Sequence, residues 1–141
     1  MYLLDSDHLT ILWYDQDKSY VALLSRLADH SDDQFAVSIV TVEEQLRGWL
    51  AYVAKATGVD GAIKGYSKLR EVIQRFSEVN VLDYDIKAAD VFVEMRSQGV
   101  RVGTMDLRIA AIAIANDLTL LTRNTIDFER VPNLRFEDWT H

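Results

Sequence analysis

The sequence predicts an α/β fold in which a central, mostly parallel sheet of four to five strands is flanked by helices. Three observations predict it. Short apolar runs of strand length alternate with longer segments of helical spacing. No repeat, low-complexity linker or shift in composition divides the 141 residues, so residues 1–141 are expected to form one domain. Apolar residues make up 49% of the chain, which is enough for a core and argues against disorder.

The elements follow from the hydrophobic pattern. The predicted strands are the four short apolar runs at 2–4, 35–40, 79–82 and 118–121. The predicted helices are the four segments with helical spacing at 41–55, 61–76, 85–98 and 105–116. Residues 107–115 (LRIAAIAIA) are apolar on nearly every side, so this helix is expected to be buried. Strands that alternate with such helices pair in parallel, with helices on both faces of the sheet.

Composition excludes several classes of protein. Cysteine is absent, so the chain has no disulfide, thiolate zinc site or cysteine nucleophile. No export signal is visible at the N-terminus and no run approaches the roughly 18 apolar residues of a membrane span. We therefore expect a cytoplasmic chain with no membrane partner. The formal net charge of −7 makes a general affinity for nucleic acid a poor first hypothesis.

Acidic and amide side chains follow the predicted strands. They are Asp5 after the first strand, Glu44 after the second, Asp106 at the start of the buried helix, and Asn124 and Asp127 after the fourth strand. The carboxyl ends of parallel strands meet at one edge of a sheet, where ligands bind. Two carboxylates about 4 Å apart repel by roughly 4 kcal/mol at an effective dielectric constant of about 20. Because no lysine or arginine is placed among these acids, a divalent cation, Mg²⁺ with Mn²⁺ as a substitute, is the expected counterion.

Structural alternatives exist for several of these acids. Glu44 has the position of the glutamate in a capping box (TVEE). Asp106 would lie in the first turn of a helix capped by Thr104, where a negative charge suits the helix dipole. Asp127 could cap the turn DFER. Asp5 is the hardest of these acids to explain by a structural role, because an unpaired carboxylate at the end of a central apolar strand is costly.

The sequence resembles the PIN-domain nucleases and, within them, the VapC-type toxins of prokaryotic toxin–antitoxin pairs. The resembling blocks are YLLDSD (2–7), SIVTVEEQLRG (38–48), VLDYD (81–85), GTMDLRIAAIAIA (103–115) and LLTRNTIDFERVPNL (120–134), followed by EDW (137–139). The resemblance implies a three-layer α/β/α fold and a metal-dependent endoribonuclease, with transfer RNA as a candidate substrate. It also implies a VapB-type antitoxin as partner and commonly a homodimer.

The resemblance also implies which residues do the chemistry. The family's acidic motif falls on Asp5, Glu44 and Asp106, and a more variable fourth acidic position falls on Asp127. Asp5 and Asp106 are then expected to be direct Mg²⁺ ligands, and Glu44 a ligand or the group that orients the attacking water. Asp127 takes an outer or second-metal role, and Asn124 binds phosphate or water.

The first motif departs from the family pattern. It usually reads Asp-Thr-Asn, whereas this chain has Ser6 and Asp7 after Asp5. Ser6 is a conservative replacement and is expected on the substrate-binding side. Asp7 either adds an outer contact to the metal or caps the segment that begins at His8. We favour the cap, because aspartate is a leading N-cap residue.

Basic residues that could hold RNA cluster in one part of the chain. Residues 47–75 contain six basic and two acidic residues, a local charge of +4, so the remaining residues carry −11. Three of these cations share one helical face: Lys64, Lys68 and Arg75. This face is expected beside the acidic cleft, in contact with RNA phosphates; an ordinary solvated face is the alternative. Arg123 and Arg130 form a competing phosphate clamp.

Other functional classes fit less well. Asp5 and Asp7 also resemble the opening of a haloacid-dehalogenase-type phosphatase, and a phospho-acceptor receiver domain is a further small acidic α/β fold. Both families balance the phosphoryl group with a lysine late in the chain, and no lysine follows Lys87. A catalytically inactive PIN domain that only binds protein is the third alternative, against which the intact acids argue.

Overall fold

Five parallel strands form one sheet in the computed structural model, which describes all 141 residues. The strands are β1 (Tyr2–Leu4), β2 (Phe35–Ser38), β3 (Val81–Leu82), β4 (Thr119–Leu121) and β5 (Arg135–Glu137). Their spatial order is β3-β2-β1-β4-β5, so β1 is central and pairs with β2 on one side and β4 on the other. The predicted parallel α/β architecture is confirmed.

Seven α-helices and one short 3₁₀ helix (Asp32–Gln34) complete the fold. The α-helices are α1 (Ser6–Tyr14), α2 (Lys18–Leu27), α3 (Ile39–Lys55), α4 (Val59–Ser77), α5 (Ile86–Ser97), α6 (Thr104–Ala115) and α7 (Thr125–Phe128). None of them combines the length and apolarity that crossing a membrane requires. The four predicted helices correspond to α3–α6, whereas α1, α2, α7 and β5 were not predicted. Strand β5 reads RFE, and a single apolar residue carries too little pattern to be recognised.

The sheet separates two hydrophobic cores. Alternate side chains of a strand point to opposite faces, and accordingly Leu3 belongs to the core under α5, α6 and α7 while Leu4 belongs to the core under α1–α4. Helix α6 lies in the first core, where residues 109–113 are fully buried. The prediction that this helix is buried is confirmed.

The starts of α1 and α3 differ from expectation. Asp5 caps α1, because its carboxylate accepts the backbone N–H of Ser6 at 2.8 Å. Asp7 lies inside α1, so its expected role as a cap is wrong. Helix α3 starts earlier than predicted and is capped by Ser38, so the capping-box interpretation of Glu44 is also wrong. Asp7 and Glu44 therefore do not have the local roles considered for them, whereas Asp5 has a structural role as an N-cap that the sequence analysis did not consider.

The starts of α6 and α7 also differ from expectation. Gly103 occupies the N-cap of α6 and offers no side-chain cap, whereas Thr104, the expected cap, is the first helical residue. Asn124 occupies the N-cap of α7, so the expected capping role of Asp127 is wrong. Asp106 does lie in the first turn of α6, as predicted.

Candidate active site

The site lies at the carboxyl edge of the three central strands. Leu4 at the end of β1 is in register with Val37 of β2 and with Leu121 of β4. The residues that follow these three strands therefore leave the sheet at the same edge. The backbone N–H of Asp5 donates to the carbonyl oxygen of Leu121 at 2.9 Å. Sequence order thus places Asp5 directly beside Thr122, at the position where ligands bind in open parallel sheets.

Asp5 is the most buried acid of the site, with 6% of its surface exposed. Its two carboxylate oxygens accept the N–H of Ser6 at 2.8 Å and the hydroxyl of Thr122 at 2.8 Å. Burial, and then repulsion by Asp7 and Glu44, raise the pKa of Asp5 to about 7 despite both hydrogen bonds. The site therefore holds a carboxylate whose charge has no compensation within the protein.

Ser6 joins Asp5 to Glu44. Its hydroxyl donates to Glu44 Oε2 at 2.8 Å and so connects the start of α1 to the second turn of α3. Glu44 is half-buried, and burial, followed by the nearby charge of Asp106, raises its pKa. Asp106 therefore lies close enough to Glu44 to repel it.

Asn124 joins the remaining two acids. Its side-chain amide donates to Asp106 at 3.3 Å and to Asp127 at 3.1 Å. Burial, and then repulsion by Asp127 and Asp7, raise the pKa of Asp106. The backbone N–H of Asn124 donates to the hydroxyl of Thr122 at 3.0 Å, which links this pair back to Asp5. The structure thus brings the four predicted acids, Ser6 and Asn124 into one hydrogen-bonded cluster.

The cluster has the donor chemistry of a divalent-cation site. None of the four carboxylates, at positions 5, 44, 106 and 127, forms a salt bridge with lysine, arginine or histidine. An all-oxygen set without a salt-bridged cation suits Mg²⁺ or Mn²⁺. The charge of Arg47 acts on Glu44, but the pKa of Glu44 is still raised overall. No group of three or more acidic or histidine side chains is already arranged to hold a metal ion, however. The oxygen ligands and the negative charge of these residues suit a hard cation. Binding of the cation would have to bring the carboxylates closer together. Their metal-binding and catalytic roles stay predictions.

An open groove runs from this cluster between α3 and the start of α6. It has a volume of about 680 Å³, within the roughly 300–1,000 Å³ of ligand pockets. Glu44 and Asp106 line it together with Arg47, Gly48 and Met105. Arg47 is the one cation of the lining and pairs with Glu43 at 2.6 Å. An elongated ligand in this groove would contact two of the four acids.

The predicted phosphate-binding lysines lie elsewhere. Lys68 pairs with Glu71 at 3.2 Å and lies 5.6 Å from the ring centroid of Tyr14. Tyr14 ends α1, whereas Asp5 caps its start, and a nine-residue helix is about 13 Å long. Lys64 lies 5.7 Å from the ring of Tyr52, further along α3 than the acids. Neither lysine belongs to the acidic cluster, and their contact with RNA stays a prediction.

Arg123 lies nearer to the acids. Its backbone N–H donates to Asp7 at 2.8 Å, and its exposed side chain forms no salt bridge within the protein. Sequence reasoning missed Thr122, whose hydroxyl touches Asp5. The available signal was its position directly after β4, which is the position that Asp5 has after β1.

Comparison with known proteins supports the resemblance. The family model described as PIN domain matches residues 2–134. Over 74 residues the chain is 45% identical to the tRNA(fMet)-specific endonuclease VapC of Shigella flexneri, an alignment that covers 49% of this chain and 56% of that protein. The chain thus spans little more than half the length of this relative. It is 29% identical over 143 residues to Ribonuclease VapC2 of Rickettsia felis, covering 99% of this chain and 98% of the relative.

The fold is similar to that of solved toxin–antitoxin structures. The crystal structure of VapBC2 from Rickettsia felis, bound to a DNA fragment from their promoter, contains a chain with a TM-score of 0.69 and 28% identity. The match covers 98% of both chains. The likeness therefore extends over the whole α/β sheet and not over the acidic blocks alone.

Proposed function

Because the chain belongs to the PIN-domain family, we propose that it is an endoribonuclease that acts as the VapC-type toxin of a toxin–antitoxin pair. The observation that carries this proposal is the cluster of Asp5, Glu44, Asp106 and Asp127 at the carboxyl edge of the sheet, where no salt bridge neutralises any of them. The groove that begins between Glu44 and Asp106 gives a polymeric substrate access to these acids.

Asp5 and Asp106 are the residues that would hold Mg²⁺ or Mn²⁺, with Glu44 as a further ligand or as the group that orients water and Asp127 in an outer position. When bound, the cation would polarise the phosphodiester and lower the pKa of a coordinated water. Ser6 fixes the orientation of Glu44 through its hydroxyl. Asn124 connects Asp106 and Asp127 by donating its side-chain amide to both carboxylates.

Arg123 and Asn124 are the proposed contacts to the RNA backbone nearest the acids. The Arg123 side chain is exposed and unpaired at the rim of the cluster, so a phosphate can approach it without breaking an internal bond. Lys64 and Lys68 of α4 are proposed as a separate contact to RNA, away from the acids. We also propose a cytoplasmic location, where a nuclease of this kind would meet its RNA substrate.

We propose transfer RNA as the first substrate to test, since the Shigella flexneri relative is described as a tRNA(fMet)-specific endonuclease. We also propose a VapB-type antitoxin as partner, since the structurally similar Rickettsia felis chain is part of a VapBC complex. The resemblance further implies a homodimer. The phosphatase alternative is not favoured, because Asp7, the second acid that it requires, is occupied by protein donors.

The test is cleavage of labelled total transfer RNA with Mg²⁺ or Mn²⁺, with and without EDTA. We expect Asp106→Asn and Glu44→Gln to reduce cleavage by roughly 10²–10³-fold, the range found when one electrostatic group of an active site is removed. Asp90→Asn, an exposed acid of α5, is the matched control with the same loss of charge. Cleavage that survives both EDTA and the two site variants would refute the proposal.

A further inference from the structure

His8 is a buried histidine whose two ring nitrogens are both engaged. It has no exposed surface. The backbone N–H of Trp139 donates to Nε2 at 3.2 Å, and Nδ1 lies 2.7 Å from Asp7 Oδ1. Because Nε2 accepts a hydrogen bond it carries no proton, so the proton is on Nδ1 and is donated to Asp7. The carboxylate of Asp138 faces Nε2 from 3.8 Å, beyond hydrogen-bond distance, and accepts from Thr140 instead.

Asp7 uses its other carboxylate oxygen to hold the segment that follows β4. Oδ2 accepts the backbone N–H of Arg123 at 2.8 Å and lies 3.3 Å from the Thr122 hydroxyl. Thr122 in turn donates to Asp5 at 2.8 Å, and Asn124 bonds both acids on its side of the cluster. A continuous chain of hydrogen bonds therefore runs from the buried C-terminal segment through His8 and Asp7 to the site.

The geometry explains why this position carries a carboxylate. Donors approach Asp7 on both oxygens, from His8 on one and from Arg123 on the other. An asparagine would present its NH₂ group to one of these donors, and the fixed tautomer of His8 cannot reverse without opposing the N–H of Trp139. Both oxygens of Asp7 are thus directed toward the ring of His8 and the backbone of Arg123, two groups that support the site.

We infer that Asp7 and His8 form a positioning pair that holds residues 122–124 in place for the RNA and the cation, without contacting either. The inference rests on the proposed function, because it names the residues that hold the proposed active site in place. It makes Asp7 different in role from Asp5 and Asp106, although all three are acids at the same edge of the sheet. The backbone of Trp139, in the segment that follows β5, belongs to the same support, because its N–H fixes the ring of His8.

Two substitutions of His8 test its two hydrogen bonds separately. In His8→Asn the side-chain amide nitrogen can take the place of Nδ1, so the bond to Asp7 is kept and the bond to Trp139 is lost. In His8→Gln the terminal amide reaches the position of Nε2, so the bond to Trp139 is kept and the bond to Asp7 is lost. Both variants remove one buried hydrogen bond, so both are expected to lower the melting temperature.

The readouts are KM and kcat for transfer RNA and the Mn²⁺ concentration that gives half of the maximal thermal stabilisation. We expect His8→Asn to stay near the wild-type values, and His8→Gln and Asp7→Asn to raise KM by roughly tenfold, with Mn²⁺ binding weakened in both. The double variant His8→Gln/Asp7→Asn should be no worse than Asp7→Asn alone, since the pair acts as one unit. His30→Gln is the matched control, because His30 packs on the Trp139 ring and has no bond to Asp7.

Three results would overturn the inference. The first is equal KM and Mn²⁺ binding in His8→Asn and His8→Gln, which would make His8 a purely structural residue. The second is a loss of cleavage of about a thousandfold in Asp7→Asn with little change in His8→Gln, which would make Asp7 a direct ligand. The third is a change in His30→Gln equal to that in His8→Gln. If the wild type cleaves no RNA, the proposed function fails, and the Mn²⁺ measurement alone still decides the role of the pair.

Discussion

Replacing Asp5 with asparagine should stabilise the metal-free protein at alkaline pH. The pKa of Asp5 is raised from 3.8 to about 7, and each pH unit of that difference is worth about 1.4 kcal/mol. Ionised Asp5 therefore costs the folded state about 4 kcal/mol relative to the unfolded chain. Asparagine is an equally good N-cap and carries no charge, so it removes this cost. It loses the bond from Thr122, which is worth about 1 kcal/mol, although that hydroxyl can turn to Asp7.

The sign of the pH dependence follows from the direction of the pKa change. Below about pH 4 Asp5 is protonated in both states and costs nothing. Between about pH 4 and pH 7 the unfolded chain releases the proton and the folded protein keeps it, so stability falls as the pH rises. Above about pH 7 the full cost is present. At pH 8 we expect Asp5→Asn to be more stable than the wild type by about 3 kcal/mol, or about 10 °C in melting temperature.

The assay is thermal unfolding in EDTA at several values between pH 4.5 and 8.5, followed by the same scans with Mg²⁺ or Mn²⁺. At ten times its dissociation constant a bound cation should stabilise the wild type by about 1.4 kcal/mol, and the variant by much less. Asp90→Asn, which removes the charge of an exposed carboxylate, is the control and should not show this gain. A gain in Asp5→Asn that is the same at pH 5 and pH 8, or no gain at pH 8, would show that a buried charge at Asp5 does not destabilise the fold.

Three further predictions concern packing and charge. Gly48→Ala should raise the free energy of unfolding by about 1 kcal/mol, because a Cβ there meets nothing within 4 Å in the interior of α3. Gly65→Ala should lower the free energy of unfolding by about 1–3 kcal/mol, because its Cβ would lie 2.6 Å from a methyl carbon of Val53. Urea denaturation measures both variants, and a higher stability of Gly65→Ala than of Gly48→Ala would contradict both predictions. The double variant Lys64→Gln/Lys68→Gln should weaken RNA binding and reduce the slope of log K against log salt concentration by about 2. Lys87→Gln is the control and should change neither. Filter-binding curves that are unchanged in the double variant would show that α4 does not contact RNA.

The order of strands and helices could be predicted because it is written in hydrophobic periodicity. The helices α3–α6 are long enough for their apolar residues to repeat several times, and α6 is apolar on nearly every side. Strand β5 and helix α7 could not be predicted, because three or four residues are too few to show a hydrophobic periodicity. Helix α1 follows β1 with one residue between them, so Asp5 both ends the strand and caps the helix.

The convergence of the acids was also predictable, because their positions after parallel strands fix the edge at which they lie. What holds each acid was not predictable. The partners of Glu44, Asp5 and Asp106 are Ser6, Thr122 and Asn124, and these contacts join residues that are 18 to 117 positions apart in sequence. The capping interpretations failed for the same reason. A local motif such as TVEE is indistinguishable in sequence from four helical residues whose cap lies further upstream.

The partners of the acids explain why the cluster stays negative. Ser6, Thr122 and Asn124 are neutral donors, so they fix the direction of a carboxylate without cancelling its charge. An arginine in their place would form a stronger pair and stabilise the metal-free fold, but it would compete with any cation for the same oxygens. The arrangement instead leaves a cost of about 4 kcal/mol at Asp5, a large part of the roughly 5–15 kcal/mol that stabilises a typical domain. Binding of a positive ligand is the event that would remove this cost, so the instability of the site is coupled directly to its affinity for that ligand.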